Sequence, residues 1–195
     1  GVLLALPAFR LADLEIYSQN KRVDLSLIGQ IEYPPVTSVV LGFRSQDVLH
    51  PLDGFGVLIP EVEKFNSLGS IFSSSLFPNR CPDGHLTFTS YIGGTRAPEL
   101  ALKEKDEIVR LIMEDLRVLV GLSGEPTYIH CFCWPRAIPQ YNVGYGKFKM
   151  LMEEAEKRAV GLFIGGHCRD GISLGDSILS GYNAAGRIED YIKST

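Results

Sequence analysis

The middle of the chain alternates apolar and polar residues with the two-residue period of β-strands. Four segments show this alternation, with Gly, Pro, Asn and Asp between them: residues 36–43, 54–59, 68–74 and 85–92. Residues 126–134 have a similar, strand-like composition. Because alternation bounded by turn-forming residues is typical of paired strands, the pattern predicts an antiparallel sheet.

Two longer segments have the three- and four-residue spacing of amphipathic helices. The clearer one follows Pro98, stops at Gly121 and places five apolar residues on one stripe: Ile108, Leu111, Ile112, Leu116 and Leu119. The second helix, over 144–159, turns four residues inward: Phe148, Leu151, Met152 and Ala155. Similar spacing predicts two short helices, over 9–17 and 21–27.

The two ends of the chain have a different pattern. Residues 1–7 are a continuous apolar run ended by Pro, which predicts a strand buried on both faces. Since such a strand needs neighbours and no starting Met precedes it, we expect the chain to begin inside a larger protein.

Near the other end, a short buried strand over 161–164 leads through a glycine loop to a helix from Leu174. We expect this helix to turn four residues inward: Ile178, Ala185, Ile188 and Ile192. Ser173 and Asp176 have the spacing of a capping box at its start.

Composition narrows the class of protein. With 45% hydrophobic and 22% charged residues and a net charge of -4, the chain has the composition of a soluble globular protein. Lys and Arg are scattered rather than clustered, which argues against nucleic-acid binding. Apolar runs are too short to cross a bilayer. The spacing of Cys81, Cys131, Cys133 and Cys168 fits neither a disulfide framework nor a zinc site, so we expect packed, reduced thiols and a cytoplasmic location.

The glycine loop is the first candidate for chemistry. Gly165, Gly166, Gly171 and Gly175 allow the backbone to approach a ligand closely, next to the exposed N–H groups of a helix start. Without a complete G-x-G-x-x-G, the glycine spacing alone favours a tight turn between strand and helix over a cofactor site. The sequence contains no H-E-x-x-H, G-x-S-x-G or P-loop, so we predict no catalytic side chain and no metal site.

Six ordered motifs then resemble the oxygen-dependent protoporphyrinogen oxidases, a family within the FAD-linked amine-oxidase superfamily. They are YPPV at 33–36, HPLDGFGVLIP at 50–60, LGSIFSSSLFP at 68–78, YIGG at 91–94, WPRAIPQY at 134–141 and GISLGD at 171–176. The resemblance implies an α+β fold, in which a mixed, mainly antiparallel substrate-domain sheet with covering helices is joined to parts of an FAD-binding domain. Residues 1–33 would be a return strand and connecting helices, 34–143 the substrate domain, and 144–195 the helix, strand and flavin-contacting loop-helix.

The resemblance also implies site residues. Leu58, Ile71 and Tyr91 match positions that the family places against the tetrapyrrole, whereas their spacing alone favours plain core residues. The residues that match the family's FAD contacts are Trp134, Gly165, Gly166, Gly171, Ile172, Ser173 and Leu174. His167 and Cys168 depart from the family pattern, which usually has Asn at the first of these positions. We still predict that His167 contacts the cofactor, and that the side chain of Cys168 is packed in the interior.

The activity implied is oxidation of protoporphyrinogen IX to protoporphyrin IX by hydride transfer to FAD, with O2 as acceptor. The N-terminal half that would hold most of the FAD is absent from this sequence, so we expect the chain alone to be inactive. The alternatives are coproporphyrinogen III, an amine or a carotenoid as substrate, or a non-catalytic module that binds a tetrapyrrole or a partner protein. Apolar surface that the absent half would cover is expected to be exposed, which favours a homodimer. The family also suggests peripheral contact of the full protein with the inner face of a membrane.

Overall fold

A computed structural model describes residues 1–194, which divide into two compact units. One unit comprises Gly1–Tyr33 and the chain from Ile138 onward, and the other comprises Pro34–Ala137. In chain order, the elements are β1 (Val2–Leu4), α1 (Ala8–Leu11), β2 (Ile16–Ser18), β3 (Lys21–Val23), β4 (Val36–Arg44), β5 (Gly56–Leu58), β6 (Ser67–Phe72), α2 (Ser73–Leu76), β7 (His85–Gly93), α3 (Lys105–Val120), β8 (Tyr128–Trp134), α4 (Gly146–Arg158), β9 (Leu162–Ile164) and α5 (Leu174–Ser194). Short 3-10 turns lie at Ser26–Gln30, Ser45–Asp47, Glu61–Glu63 and Pro98–Leu102.

The unit Pro34–Ala137, called the sheet unit below, is built on the predicted antiparallel sheet. Its strand order is β5-β6-β7-β4-β8, and every neighbouring pair is antiparallel. The longest pairing joins β4 to β7, from Val36 opposite Gly93 to Arg44 opposite His85. Long strands with clear alternation dominate this sheet, which explains why the sequence predicts it well.

One face of the sheet is covered by α3. The predicted stripe of this helix is confirmed, because Ile108, Leu111, Ile112 and Leu116 are buried and Leu119 packs against the same core. The helix ends at Gly121, whose φ of 64° is left-handed. Sheet side chains complete the core: Val39, Leu41, Phe43, Phe72, Leu86, Phe88 and Ile92.

The other unit, called the loop unit below, contains a two-stranded parallel pair of β1 and β9, an antiparallel hairpin of β2 and β3, and the helices α1, α4 and α5. The inward face predicted for α4 is confirmed, with Phe148, Met152 and Ala155 buried and Leu151 half-buried. The short helices predicted over 9–17 and 21–27 are wrong beyond the four residues of α1. Gln19 and Asn20 take positive φ angles of 50° and 62°, which form the tight turn of a hairpin instead of a helix.

Two further expectations for this unit are wrong. The strand β1 is not buried on both faces, because β9 is its one neighbour among the described residues and Val2 is 59% exposed. In α5, the buried residues are Ser180 and Ala184, whereas Ile178, Ala185 and Ile192 are exposed and Ile188 is half-buried. Polar contacts of Ser180 and Arg187 fix the rotation of α5, so its apolar stripe does not face this unit.

Candidate active site: an open sheet face and a glycine loop

The sheet face opposite α3 carries the three predicted substrate-binding residues. The strand register aligns Leu58 with Gly69 and Gly69 with Tyr91, and directly opposed residues point to the same face. Ile71 lies in the adjacent row, opposite Thr89. None of the three belongs to the buried core, and Leu58 is 90% exposed. The structure therefore places Leu58, Ile71 and Tyr91 together on one uncovered face.

Gly69 leaves a gap between two of these side chains. It occupies the position between Leu58 and Tyr91 in the cross-strand row, next to an irregularity in the pairing of β6 with β7. A Cβ at Gly69 would lie 2.4 Å from the carbonyl oxygen of Val57. Glycine is therefore required for the close pairing of β5 with β6, and the resulting face is bare backbone at that point.

A cavity of about 720 Å³ opens on the same face. Ile71 and Tyr91 line it, together with residues of β4, β7 and β8 and of the segment that follows β6. Leu58 lies outside the cavity lining, although it shares the face. A concave, largely apolar surface of this size is typical of a small-molecule site.

Aromatic residues of β8 extend this face and were not predicted as part of it. Phe132 lies opposite Ser38, in the row of Tyr91, and Tyr128 lines the cavity. Trp134 packs against Phe132 with ring centroids 4.5 Å apart. The sequence could have indicated this, because the two-residue alternation of β8 places its aromatic residues on one face and its cysteines on the other. Trp134, predicted as a cofactor contact, belongs to the sheet unit and extends its aromatic surface.

The glycine loop lies in the loop unit between β9 and α5. Gly166 and Gly171 have φ angles of 98° and 131°, which residues with a side chain rarely adopt. At Gly171, a Cβ would also lie 2.5 Å from the carboxyl carbon of Asp176. The loop thus depends on glycine at positions that the sequence singled out.

The predicted capping box at the start of α5 is formed. Ser173 donates its N–H to the Asp176 carboxylate at 3.2 Å, and the Asp176 N–H donates to Oγ of Ser173 at 3.0 Å. The hydrogen bonds from the Ser173 side chain and N–H lower the pKa of Asp176. This box sets the direction in which α5 leaves the loop.

Contacts from β9, α4 and α5 that the sequence did not reveal hold the loop in place. Ser180 accepts the Gly166 N–H at 2.7 Å and donates to the Asp170 carboxylate. Glu156 accepts hydrogen bonds from Arg169 at 2.6 Å and from Arg187 at 2.9 Å. Burial raises the pKa of Glu156, but the hydrogen bonds and charges of these partners outweigh it, so the pKa is lowered overall.

Three tyrosines also bind the loop. Tyr141 donates to the carbonyl oxygen of His167 at 2.6 Å and accepts the Gly171 N–H at 3.1 Å. Tyr145 donates to the carbonyl oxygen of Cys168 at 2.7 Å, and its ring stacks on Tyr141 with centroids 4.1 Å apart. Tyr33 completes the set through its hydroxyl, 3.3 Å from Nε2 of His167. These pairs are distant in sequence, and spacing gives no signal for them.

The side chains of His167 and Cys168 point into this cluster. The Ala8 N–H donates to Oη of Tyr33 at 3.0 Å, which leaves the Tyr33 hydroxyl hydrogen for Nε2 of a neutral His167. Burial lowers the pKa of His167, and burial raises the pKa of Cys168 to about 11. Cys168 is completely buried, which agrees with its predicted packing role.

With this geometry established, comparison with known proteins identifies the family. A family model described as flavin containing amine oxidoreductase matches residues 2–189. The chain belongs to this family. Membership implies FAD as the cofactor, and the mixed α+β fold predicted from the sequence is confirmed.

Curated relatives of the chain are named as porphyrinogen oxidases. The chain is 34% identical over 197 residues to the mitochondrial protoporphyrinogen oxidase of Nicotiana tabacum, covering 100% of this chain and 39% of that protein. It is 25% identical over 171 residues to the coproporphyrinogen III oxidase of Bacillus subtilis, covering 87% of this chain and 36% of the relative. The chain therefore spans less than half the length of the curated relatives that it matches.

Solved structures give the same fold at lower identity. A putative protoporphyrinogen oxidase from Exiguobacterium sp. 255-15 superposes with a TM-score of 0.78 at 19% identity, covering 99% of this chain and 41% of that one. Cyclohexylamine oxidase from Brevibacterium oxydans superposes with a TM-score of 0.64 at 13% identity, covering 98% and 43%.

The glycine loop fits contact with a flavin ring. Ile172 and Leu174 are exposed beside it, and the glycines at 166 and 171 keep the backbone bare. The N–H groups of Leu174 and Gly175 lie in the first turn of α5, where no intrahelical acceptor exists, and they can donate to an electron-rich ring edge. Among residues 1–194, no group of three or more His, Cys, Asp or Glu side chains could hold a metal ion. Within the same residues, no helix is both long enough and apolar enough to cross a membrane.

Proposed function

We propose that this chain is the C-terminal part of an FAD-dependent oxidase that converts protoporphyrinogen IX to protoporphyrin IX, with O2 as electron acceptor. The observation that carries the proposal is the grouping of Leu58, Ile71 and Tyr91 on one uncovered sheet face, beside a cavity. A porphyrinogen is a broad and largely apolar macrocycle, so aliphatic and aromatic side chains on a concave face suit it. The 34% identity to a protoporphyrinogen oxidase over the whole chain supports the same substrate.

Each unit has a separate task in this proposal. The sheet unit binds the macrocycle by apolar contact and excludes water from it. The loop unit contacts the flavin ring through the backbone of residues 165–174, including Ser173, which the capping box orients. FAD, when bound, supplies the two-electron oxidation, so no nucleophilic side chain is required.

Further polypeptide of the same protein supplies the rest of the FAD site in this proposal. The chain spans 39% of the length of a matched relative, and a G-x-G-x-x-G segment of the kind that binds a dinucleotide is absent from its 195 residues. Exposed apolar residues on α5 support such an addition: Ile178, Leu179, Tyr182 and Ile192. The chain alone is therefore expected to be inactive.

A complementation experiment tests the proposal. The chain is expressed alone, and also joined behind the segment that precedes the matched region in the tobacco mitochondrial enzyme. We expect the complemented protein to retain FAD through gel filtration and to convert protoporphyrinogen IX to a fluorescent porphyrin with release of hydrogen peroxide, and the chain alone to do neither. A folded, FAD-loaded complemented protein without turnover would overturn the oxidase assignment. Turnover by the chain alone would overturn the proposal that further polypeptide is needed for activity.

Coproporphyrinogen III is the second candidate substrate, because a relative that covers 87% of the chain is named for it. The same complemented protein distinguishes the two through kcat/KM for each porphyrinogen. We expect the larger value for protoporphyrinogen IX, and a larger value for coproporphyrinogen III would reassign the substrate.

A further inference from the structure

The cavity on the open sheet face is lined by basic but not by acidic side chains. Arg80 and His85 line it, whereas none of its lining residues is Asp or Glu. This contrasts with the whole chain, whose net charge is -4. The rest of the lining consists of apolar and hydroxyl-bearing residues, so the two basic side chains stand in a weakly polar surface.

Arg80 is available to a ligand. It lies in the segment between α2 and β7, it is exposed, and its guanidinium carbon lies 5.1 Å from the ring centroid of Phe77. No ion pair involving Arg80 is present among residues 1–194. Stacking on a ring leaves the N–H donors at the guanidinium edge unused, and these match the two oxygens of a carboxylate.

His85 occupies the start of β7 on the same face. It alternates with Thr87, Thr89 and Tyr91, all of which line the cavity. Its Nδ1 lies 3.2 Å from the carbonyl oxygen of Asp83 and donates to it, so the Nε2–H of the imidazolium form, which is the form that binds an anion, remains as a donor for a ligand. The Thr89 hydroxyl is paired with that of Ser73 at 2.7 Å, which makes Arg80 and His85 the stronger candidates for binding an anion.

We propose that Arg80 and His85 form a carboxylate subsite, which binds a propionate group of a tetrapyrrole whose apolar ring contacts Ile71 and Tyr91. This inference rests on the proposed function and names the part of the substrate that the sheet unit recognises by charge. The apolar residues of the face bind the ring, and the two basic residues fix its orientation. Bidentate pairing of Arg with a carboxylate supplies both affinity and geometry.

The test uses the 195-residue chain and two stable probes, coproporphyrin III and its methyl ester, whose carboxylates are blocked. Binding is followed by quenching of Trp134 fluorescence and by porphyrin anisotropy. We expect Arg80→Gln to weaken binding of the free acid by roughly tenfold, as for the loss of one charge-assisted hydrogen bond, and to leave ester binding unchanged. Added salt should weaken binding of the free acid to the unaltered chain more than to this variant.

Two further variants separate charge from structure. Arg117→Gln removes a charge from α3, on the covered side of the sheet, where Arg117 pairs with Glu125 at 3.7 Å, and should bind both probes as the unaltered chain does. Arg80→Lys keeps the positive charge but loses the paired N–H donors of the guanidinium, so it should bind the free acid more tightly than Arg80→Gln and less tightly than the unaltered chain. Thermal unfolding of each variant checks that it is folded.

The outcomes distinguish this inference from the proposed function. If the unaltered chain and Arg80→Gln bind the free acid equally, the carboxylate subsite is wrong while the tetrapyrrole-binding face stands. If the unaltered chain binds the ester but not the free acid, the subsite is also wrong. If it binds neither probe, the sheet face is not a tetrapyrrole wall and both proposals fall.

Discussion

The hydroxyl group of Tyr141 donates a 2.6 Å hydrogen bond to the carbonyl oxygen of His167. Because the hydroxyl oxygen of Tyr141 also accepts the Gly171 N–H, one side chain joins two points of the glycine loop. The loop that is expected to meet the flavin is therefore shaped by a residue outside it. Tyr141 is a positioning residue in this arrangement.

Replacing Tyr141 by Phe should loosen the loop without unfolding the unit. Loss of two hydrogen bonds at a partly exposed site costs about 1–2 kcal/mol locally, and the ring that stacks on Tyr145 remains. In the complemented protein we expect FAD to bind about tenfold more weakly, as measured by flavin fluorescence, and amide exchange over 165–171 to speed up. Tyr182→Phe, at a side chain that is 78% exposed on α5, is the matched control. Equal FAD affinity in the two variants would contradict a positioning role.

His167 should make the stability of the loop unit depend on pH. Burial lowers its pKa below the usual 6.5, so the unfolded chain takes up a proton before the folded one does. Stability is complete above about pH 6.5 and falls as the pH drops from there toward the lowered folded pKa. Urea unfolding followed by circular dichroism between pH 7.5 and 5.5, values chosen to span roughly this range, should show the fall.

His167→Gln supplies the comparison for this prediction. Gln can still accept a hydrogen bond from Tyr33 but does not titrate, so the decrease in stability over this range should become smaller. The same decrease in both proteins would show that other groups are responsible.

The sequence predicted the parts of the fold in which local pattern and tertiary packing agree. The alternation in β4 and β7 and the stripe of α3 both survive in the structure, because the covered face of the sheet and the helix bury each other. The β2–β3 hairpin was missed since its turn uses Gln19 and Asn20 rather than glycine. The rotation of α5 was missed because Ser180 hydrogen-bonds the loop, a tertiary contact that no apolar pattern records.

The same distinction applies to the candidate site. The sharing of one face by Leu58, Ile71 and Tyr91 follows from strand alternation together with the register. The link between Tyr33 and His167 joins residues 134 positions apart, and only the folded chain brings them together. Local glycine spacing predicted where the loop would be, whereas the side chains that hold it come from distant segments.

Asp115 is expected to be important for the stability of the sheet unit. Although this carboxylate on α3 is 4% exposed, it accepts hydrogen bonds from the N–H and hydroxyl of Ser67, both at 2.7 Å, and from Asn66. Asp115→Ala leaves these donors buried and unpaired, so we expect a loss of about 2–4 kcal/mol in the free energy of unfolding. Trp134 fluorescence during urea unfolding measures it, as this Trp lies in the same unit and is the only one in the chain.

Glu114→Ala is the control for Asp115. Glu114 pairs with Arg110 one helical turn away at the exposed surface, where such a pair contributes about 0.3–0.5 kcal/mol. A loss of similar size in the two variants would mean that burial of Asp115 contributes no special stability.

Gly69 links the packing of the edge strand to the proposed binding face. A Cβ there would lie 2.4 Å from the backbone oxygen of Val57, and backbone cannot move away as a flexible side chain can. Gly69→Ala should therefore push β5 away from β6 and displace Leu58 from the row that it shares with Tyr91. We expect weaker binding of porphyrin ester to the chain, by roughly tenfold, because apolar contact with the ring is lost.

Gly54→Ala is the control, since a Cβ at that position meets no atom within 4 Å. If Gly69→Ala bound the ester as tightly as Gly54→Ala, Leu58 and the gap beside it would have no part in holding the ring, and the face used would be confined to the cavity around Ile71 and Tyr91.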